Sequence, residues 1–277
     1  MTAILLKGIY HACFGLSYLV ALLLELGRLA RPAAAWRAVA LAFGVAGLAA
    51  HTFYIVAHKP DPATPSGSLL ILAWVLALFF LYGTVHHAKQ AWAVFVLPVV
   101  ILLVGMSYAL FTSDNPTLDL GVPAWASGER FWGAVHGTLI LFAAVGVSVG
   151  FVASTMYLVQ ARRLRNKVNP GRVVPLLSLE KLEGMNRRAV TVAFPLLTVG
   201  LLVGTLLLRH DHSLSDNWLS PKVLTTAGLW VVFLVLVYLR YGTSVPPRQL
   251  AWLSILAFGF MLVSLGTAHP FAEGGRP

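Results

Sequence analysis

Nine histidines are the most informative residues in this chain of 277, which is 58% hydrophobic and only 11% charged. His11, His51, His58, His136, His210, His212 and His269 fall in one half of the expected membrane or at its surface, and His86 and His87 fall on the other side. Imidazole is costly in hydrocarbon unless it is bonded or holds a metal, so a histidine inside a span is a functional candidate. His51 lies in the outer half of the second apolar run, and His11 about seven residues into the first. Each is either a ligand or a neutral ring bonded to a carbonyl or hydroxyl across a helix contact. His136 begins the fifth run just inside the interface, after Trp132, and His269 ends the eighth at a similar depth. Two neutral imidazoles at matched depth on different helices are what a six-coordinate heme iron takes, one from each face. Interfacial histidines also occur without any ligand. His58 follows His51 on the same helical face, either above it or in a solvated loop. His210 and His212 flank Asp211 as a weak metal pair, and His86 and His87 beside Lys89 read as a wet loop.

The stretch from Arg209 to Arg240 places a short polar loop, RHDHSLSDNWLSPK, before an apolar run that carries Trp230. Polar groups held this way at a membrane surface can meet a ligand there while the helices fix their positions.

The elements that must position these residues follow from composition. A soluble domain has about 25% charged residues, whereas this chain has a mean hydropathy of +0.80 and cannot cover itself with polar surface. In lipid only helices or closed barrels satisfy the backbone. Apolar runs of ~20 residues without alternation are helices. The expected fold is all-α, a polytopic bundle of about eight transmembrane helices forming a single membrane domain over residues 1–277. The spans are Ile4–Leu26, Ala35–Ala57, Ser68–Val85, Ala91–Thr112, Phe131–Gln160, Ala189–Leu208, Val223–Leu239 and Leu250–Ala268. Short connections make sequence neighbours antiparallel.

Fourteen of the 20 Lys and Arg residues fall in the connections after spans one, three, five and seven. The positive-inside rule therefore puts both termini on the outer, extracytoplasmic side. The net charge of +10 then reads as topology and lipid headgroup contact, not as a nucleic-acid surface. The run ARRLRNKVNPGR is an orientation signal, and LLSLEKLEGMNRRA has the spacing of a short interfacial helix. Gly146 with Gly150, and Gly200 with Gly204, are GxxxG pairs that let helices approach closely or arise by chance in a Gly-rich apolar chain. Trp36, Trp92, Trp125, Trp132, Trp218 and Trp252 lie where an aromatic belt would put them. The lone Cys13 excludes an intramolecular disulfide and CxxC chemistry. The N-terminus lacks the basic start of a signal peptide, although Ala33 to Ala35 mimics a cleavage site. Walker, nucleophile-elbow and H-E-x-x-H patterns are absent, as are paired carboxylates at catalytic spacing.

Three segments carry a family resemblance. FWGAVHGTLILFAAVGVSVGFVASTMYLVQARRLR resembles the helix that opens the cytochrome c assembly domain of CcsA and HemX, the YpjD-like proteins included. SLEKLEGMNRRAVTVAFPLLTVGLLVGTLLL resembles the amphipathic turn and span that follow it there. DNWLSPKVLTTAGLWVVFLVLVYLRYG resembles the next loop and helix. With the last span, the likeness covers 131–271, in the family's order and spacing. It implies a heme-handling protein of a bacterial cytoplasmic (inner) membrane that binds or presents heme at the outer face for c-type cytochrome biogenesis. The implied cofactor is a non-covalent, b-type heme with His136 and His269 as axial ligands, and with His51 as counterpart of an intramembrane histidine. Trp218 and Trp230 would pack near the ring, and Arg209 or Lys222 would pair with propionates. Apocytochrome c or other cytochrome-assembly membrane proteins are the implied partners, besides the bilayer. The family's tryptophan-rich motif is reduced here to Asp216, Trp218 and Lys222, with Trp230 in the helix. That departure favours an assembly factor over an independent synthase. The competing readings are an accessory transmembrane subunit that has lost heme binding, and a b-type cytochrome passing electrons.

Overall fold

The computed structural model describes residues 2–30, 34–62, 64–86, 90–110, 128–167, 176–210 and 221–267. These contain eight α-helices: α1 (Thr2–Ala30), α2 (Ala34–His58), α3 (Pro65–His86), α4 (Trp92–Ala109), α5 (Gly128–Arg165), α6 (Leu179–His210), α7 (Pro221–Gly242) and α8 (Pro247–Gly266). Each contains a stretch long and apolar enough to cross a membrane. The all-α polytopic architecture expected from the apolar runs is therefore the one observed.

The boundaries differ in instructive places. The acidic and apolar turn around Lys181 and Glu183 is not a separate interfacial helix. It is the first part of α6, continuous through His210. Its Asn186 is 4% exposed and bonded into the bundle, so that face packs against protein and not headgroups. The basic residues Arg162, Arg163 and Arg165 form the last turn of α5 instead of a loop. Helix α4 stops at Ala109, short of the expected Thr112. His58 and His86 are helical, the last residues of α2 and α3.

Contacts divide the helices into two compact units, each considered by itself. One holds α1 to α4 together with the end of α5 from Val159; the other holds α5 as far as Leu158 with α6, α7 and α8. In the first unit, α1 packs on α2 through Gly47, where an added Cβ would lie 3.0 Å from the Tyr18 ring. It packs on α4 through Gly15, where a Cβ would touch Val104 at 3.5 Å. Helices α2 and α3 are tied by the Trp74 indole N–H donating to the Thr52 hydroxyl at 2.8 Å. Helices α3 and α4 are tied by the Ser107 hydroxyl donating to the Ser66 carbonyl at 2.8 Å.

In the second unit both GxxxG pairs are packing surfaces, and they face each other's helix. A Cβ at Gly146 of α5 would sit 2.8 Å from the Ala193 Cβ of α6, and one at Gly200 of α6 would sit 2.8 Å from Ile140 of α5. Small residues at this spacing gain dispersion contact that lipid-facing leucines cannot provide. Trp230 of α7 donates to Thr198 of α6 at 3.0 Å. Thr226 of α7 meets Ser264 of α8 at 2.6 Å. Phe151 of α5 stacks on Phe258 of α8 with centroids 4.2 Å apart, which completes a four-helix ring.

Candidate functional site

His136 lies about two turns into α5 and is partly buried against α6. Its Nδ1 is 2.7 Å from the Gly200 carbonyl oxygen. A carbonyl only accepts, so the proton is on Nδ1. In the neutral ring the lone pair is then on Nε2, the tautomer suited to holding a metal through Nε2. The ring rests on Gly204, where a Cβ would lie 2.7 Å from Cε1 and 2.9 Å from Nδ1. The second GxxxG pair is thus the seat of the imidazole: Gly200 supplies the acceptor and Gly204 the space. The sequence displayed both halves of this arrangement, but not that they belong together.

The remaining sequence candidates are placed as follows. Trp230 is held on α6 by its bond to Thr198 and by Phe194, whose ring is 6.1 Å away. Thr198 and Gly200 are two residues apart, about 200° around a helix, so Trp230 and His136 contact nearly opposite faces of α6 and are not brought together. Arg209 falls in the last turn of α6 and Lys222 in the first turn of α7. Both helix ends are near the His136 level, since Arg209 is five residues, about 7.5 Å of rise, beyond Gly204. Trp218, His212 and His269 lie outside the described residues, as do the side chains of Arg209, His210 and Lys222. The Thr226–Ser264 bond sets the end of α8, three residues before Thr267, beside the start of α7. Helix α8 therefore ends at the His136 end of this unit.

His51 belongs to the first unit and is fully buried. Phe14 stacks on it at 4.3 Å with planes 3° apart. The Tyr18 hydroxyl is 3.4 Å from Nδ1, a long contact for a hydroxyl. Nε2 makes no hydrogen bond of good geometry, although the Leu70 main chain lies within hydrogen-bonding reach of the ring. His11 is 4% exposed and sits edge-on to Tyr54 at 4.7 Å. His58 stacks on Tyr54 at 4.3 Å. The first unit thus holds an aromatic and imidazole cluster built from α1, α2 and α4, which contributes Tyr108 at 5.9 Å from His11. Among the described residues no group of three or more His, Cys, Asp or Glu converges on a metal position.

Sequence reasoning missed a polar cluster at the other end of the second unit. The Asn186 amide of α6 is within 3.1 Å of the Gly150 carbonyl, 2.8 Å of the Ser154 hydroxyl and 2.9 Å of the Ser254 hydroxyl. Its carbonyl accepts from the Arg240 guanidinium of α7. One side chain thereby ties all four helices. The available signal was an arginine directly after an apolar run, which a count of charges for orientation does not distinguish from a loop residue.

A family model described as "Cytochrome C assembly protein" matches residues 63–267. That range takes in α3 to α8 with His136 and leaves out His11, His51 and His269. Among curated proteins, the cytochrome c biogenesis protein CcsA of Synechococcus sp. (strain RCC307) is 24% identical over 212 residues, 68% of this chain and 66% of that protein. The CcsA of Guillardia theta is 23% identical over 206 residues, 69% of this chain and 67% of its own. Protein HemX of Brevibacillus brevis is 25% identical over 202 residues, 71% and 70%. The chain thus spans about two thirds of the length of the curated relatives it matches. No solved structure matches it.

Proposed function

The chain belongs to the cytochrome c assembly protein family, and from that premise we propose that it is a heme-handling membrane protein of c-type cytochrome biogenesis. In this reading it binds or presents a non-covalent heme at the extracytoplasmic face of a bacterial cytoplasmic membrane. The observation that carries the reading is the His136 ring, held by Gly200 and Gly204 in the tautomer whose Nε2 is the metal-binding nitrogen. Ligating histidines characteristically donate their other N–H to a carbonyl or carboxylate, which fixes ring orientation and raises ligand basicity. His269 is the second axial ligand in this proposal. Its support is the course of α8, which ends at the same end of the unit as His136. Arg209 and Lys222 flank the connection at that end and suit the propionates, since a cation there meets a carboxylate near the interface.

When bound, heme supplies the iron and the vinyl groups; the protein holds and orients it. The residues on α5 and α6 fit that task, because a ring locked from behind by a carbonyl presents one fixed nitrogen. Apocytochrome c, or membrane proteins that assemble it, are the proposed partners, and the role is that of an assembly factor and not an independent synthase. The test is absorption spectroscopy of the purified protein, with and without added heme, beside His136→Ala. The expected result is a Soret band in the wild type that weakens and shifts in the variant. A wild type without a Soret band after heme supplementation overturns the reading. The reduced tryptophan motif favours one other role, an accessory subunit without heme. Co-purification with a large partner whose assembly is indifferent to the His136→Ala, His269→Ala pair would select it.

A further inference from the structure

The end of the second unit opposite His136 has a cleft lined by Ser154 and Tyr157 of α5, Glu183 and Asn186 of α6, Arg240 of α7 and Pro247 of α8. Its cavity volume is about 10 Å³, room for one oxygen-sized group. Arg240 is partly buried at its wall. One guanidinium nitrogen donates to Asn186, but Nε is buried with no hydrogen-bond partner. An orphaned donor on a charged group is expensive, more so than on a neutral one. Glu183 lines the same cleft and acts on Arg240 electrostatically, yet the two make no ion pair within 4.0 Å among the described residues. Arg187 also acts on Arg240, more weakly than Glu183 does, so that, with Arg240 itself counted, two guanidinium charges stand against one carboxylate. The wall of the cleft therefore holds an arginine with one donor unmet, two cations against one carboxylate, and space beside it for a single acceptor atom. That combination selects an oxyanion over water, because water contributes no charge.

Arg240 occupies the last turn of a membrane-crossing helix, the depth at which phospholipid headgroups lie. Basic pockets between transmembrane helices at this level take acidic headgroups. We propose that the Arg240 cleft is a binding site for the phosphate of an anionic phospholipid, held by the Arg240 guanidinium, with the Tyr157 hydroxyl in the same lining. The lipid would complete a network that already joins all four helices through Asn186. The site acts as an anchor fixing the unit in one leaflet. It is independent of heme and of His136.

The experiment uses the full-length protein, purified free of heme and delipidated in detergent. Phosphatidylglycerol, phosphatidylcholine and inorganic phosphate are added separately, and bound phospholipid is counted by native mass spectrometry alongside thermal melting. The expected result is one tightly held phosphatidylglycerol, preferred over phosphatidylcholine and accompanied by a higher melting temperature. Arg240→Gln should weaken it about tenfold, the low end for a hydrogen bond to a charged group, and Arg240→Lys should recover part of the loss. Glu183→Gln removes the competing carboxylate and should tighten binding about threefold. This arm decides the matter if Arg240→Gln fails to fold. Equal retention of both lipids overturns the proposal. So does phosphatidylglycerol binding unchanged in Arg240→Gln, or unchanged or weaker in Glu183→Gln. Inorganic phosphate giving the whole thermal shift by itself overturns the lipid as the source.

Discussion

Gly204→Ala is the sharpest perturbation of the His136 seat. The new methyl would lie 2.7 Å from Cε1 and 2.9 Å from Nδ1 of the imidazole. Carbon contacts are comfortable only from about 3.5 Å, so the ring must retreat by roughly 0.8 Å or swing away. The bond to Gly200 starts at 2.7 Å, and that retreat, combined with rotation, brings it near the limit of about 3.5 Å beyond which no hydrogen bond is credited. Losing a carbonyl that orients a ligating histidine reduces metal affinity about 10- to 100-fold, equivalent to about 1.4–2.8 kcal/mol. The assay is titration of heme into the purified protein, followed in the Soret region, for wild type, Gly204→Ala and Gly146→Ala. Gly146→Ala is the control: its methyl would lie 2.8 Å from Ala193 on the same pair of helices, but ten residues, about 15 Å, from His136. Both variants should lose about 1–3 kcal/mol of stability through overpacking, and only Gly204→Ala should lose heme affinity. Wild-type affinity in Gly204→Ala, or equal losses in both, would show that the Gly204 seat has no part in ligation.

Three further outcomes are expected. Asn186→Ala removes the bonds to Gly150, Ser154, Ser254 and Arg240; a cost of about 1–3 kcal/mol, seen as a lower melting temperature in detergent, is anticipated, and an unchanged melt contradicts its role as the hub of the four helices. His51→Phe keeps the stack on Phe14 but deprives the buried Tyr18 hydroxyl and the Leu70 main chain of a ring nitrogen, so a cost of about 1–3 kcal/mol is expected; an unchanged melting temperature would show that neither contact contributes. In a Cys13→Ser background, a cysteine placed at residue 267 should react with a membrane-impermeant thiol reagent added from outside intact cells, as the positive-inside count requires; labelling only after the membrane is opened would reverse the proposed orientation.

The number and type of elements were legible in the sequence because ~20-residue apolar runs in a chain with so few charges have one solution in lipid. Family membership was legible too, in the order of three segments between Phe131 and Phe271. Helix ends were less so. The start of α6 resembled an interfacial helix because an amphipathic face looks the same whether headgroups or other helices cover it, and only the packing of Asn186 decided between them. The GxxxG spacing marked Gly146, Gly150, Gly200 and Gly204 as suited to close approach, without naming what approaches. The tertiary structure identified the neighbours: Ala193 at Gly146, and the His136 ring at Gly204, with the Gly200 carbonyl accepting its Nδ1 hydrogen bond. Likewise, Arg240 was a charge to be counted until α5, α6 and α8 were folded around it. Hydropathy is a property of each segment by itself, so it survives in the sequence. The direction of one imidazole lone pair, or of one guanidinium N–H, depends on residues tens of positions away and exists only once the helices have met.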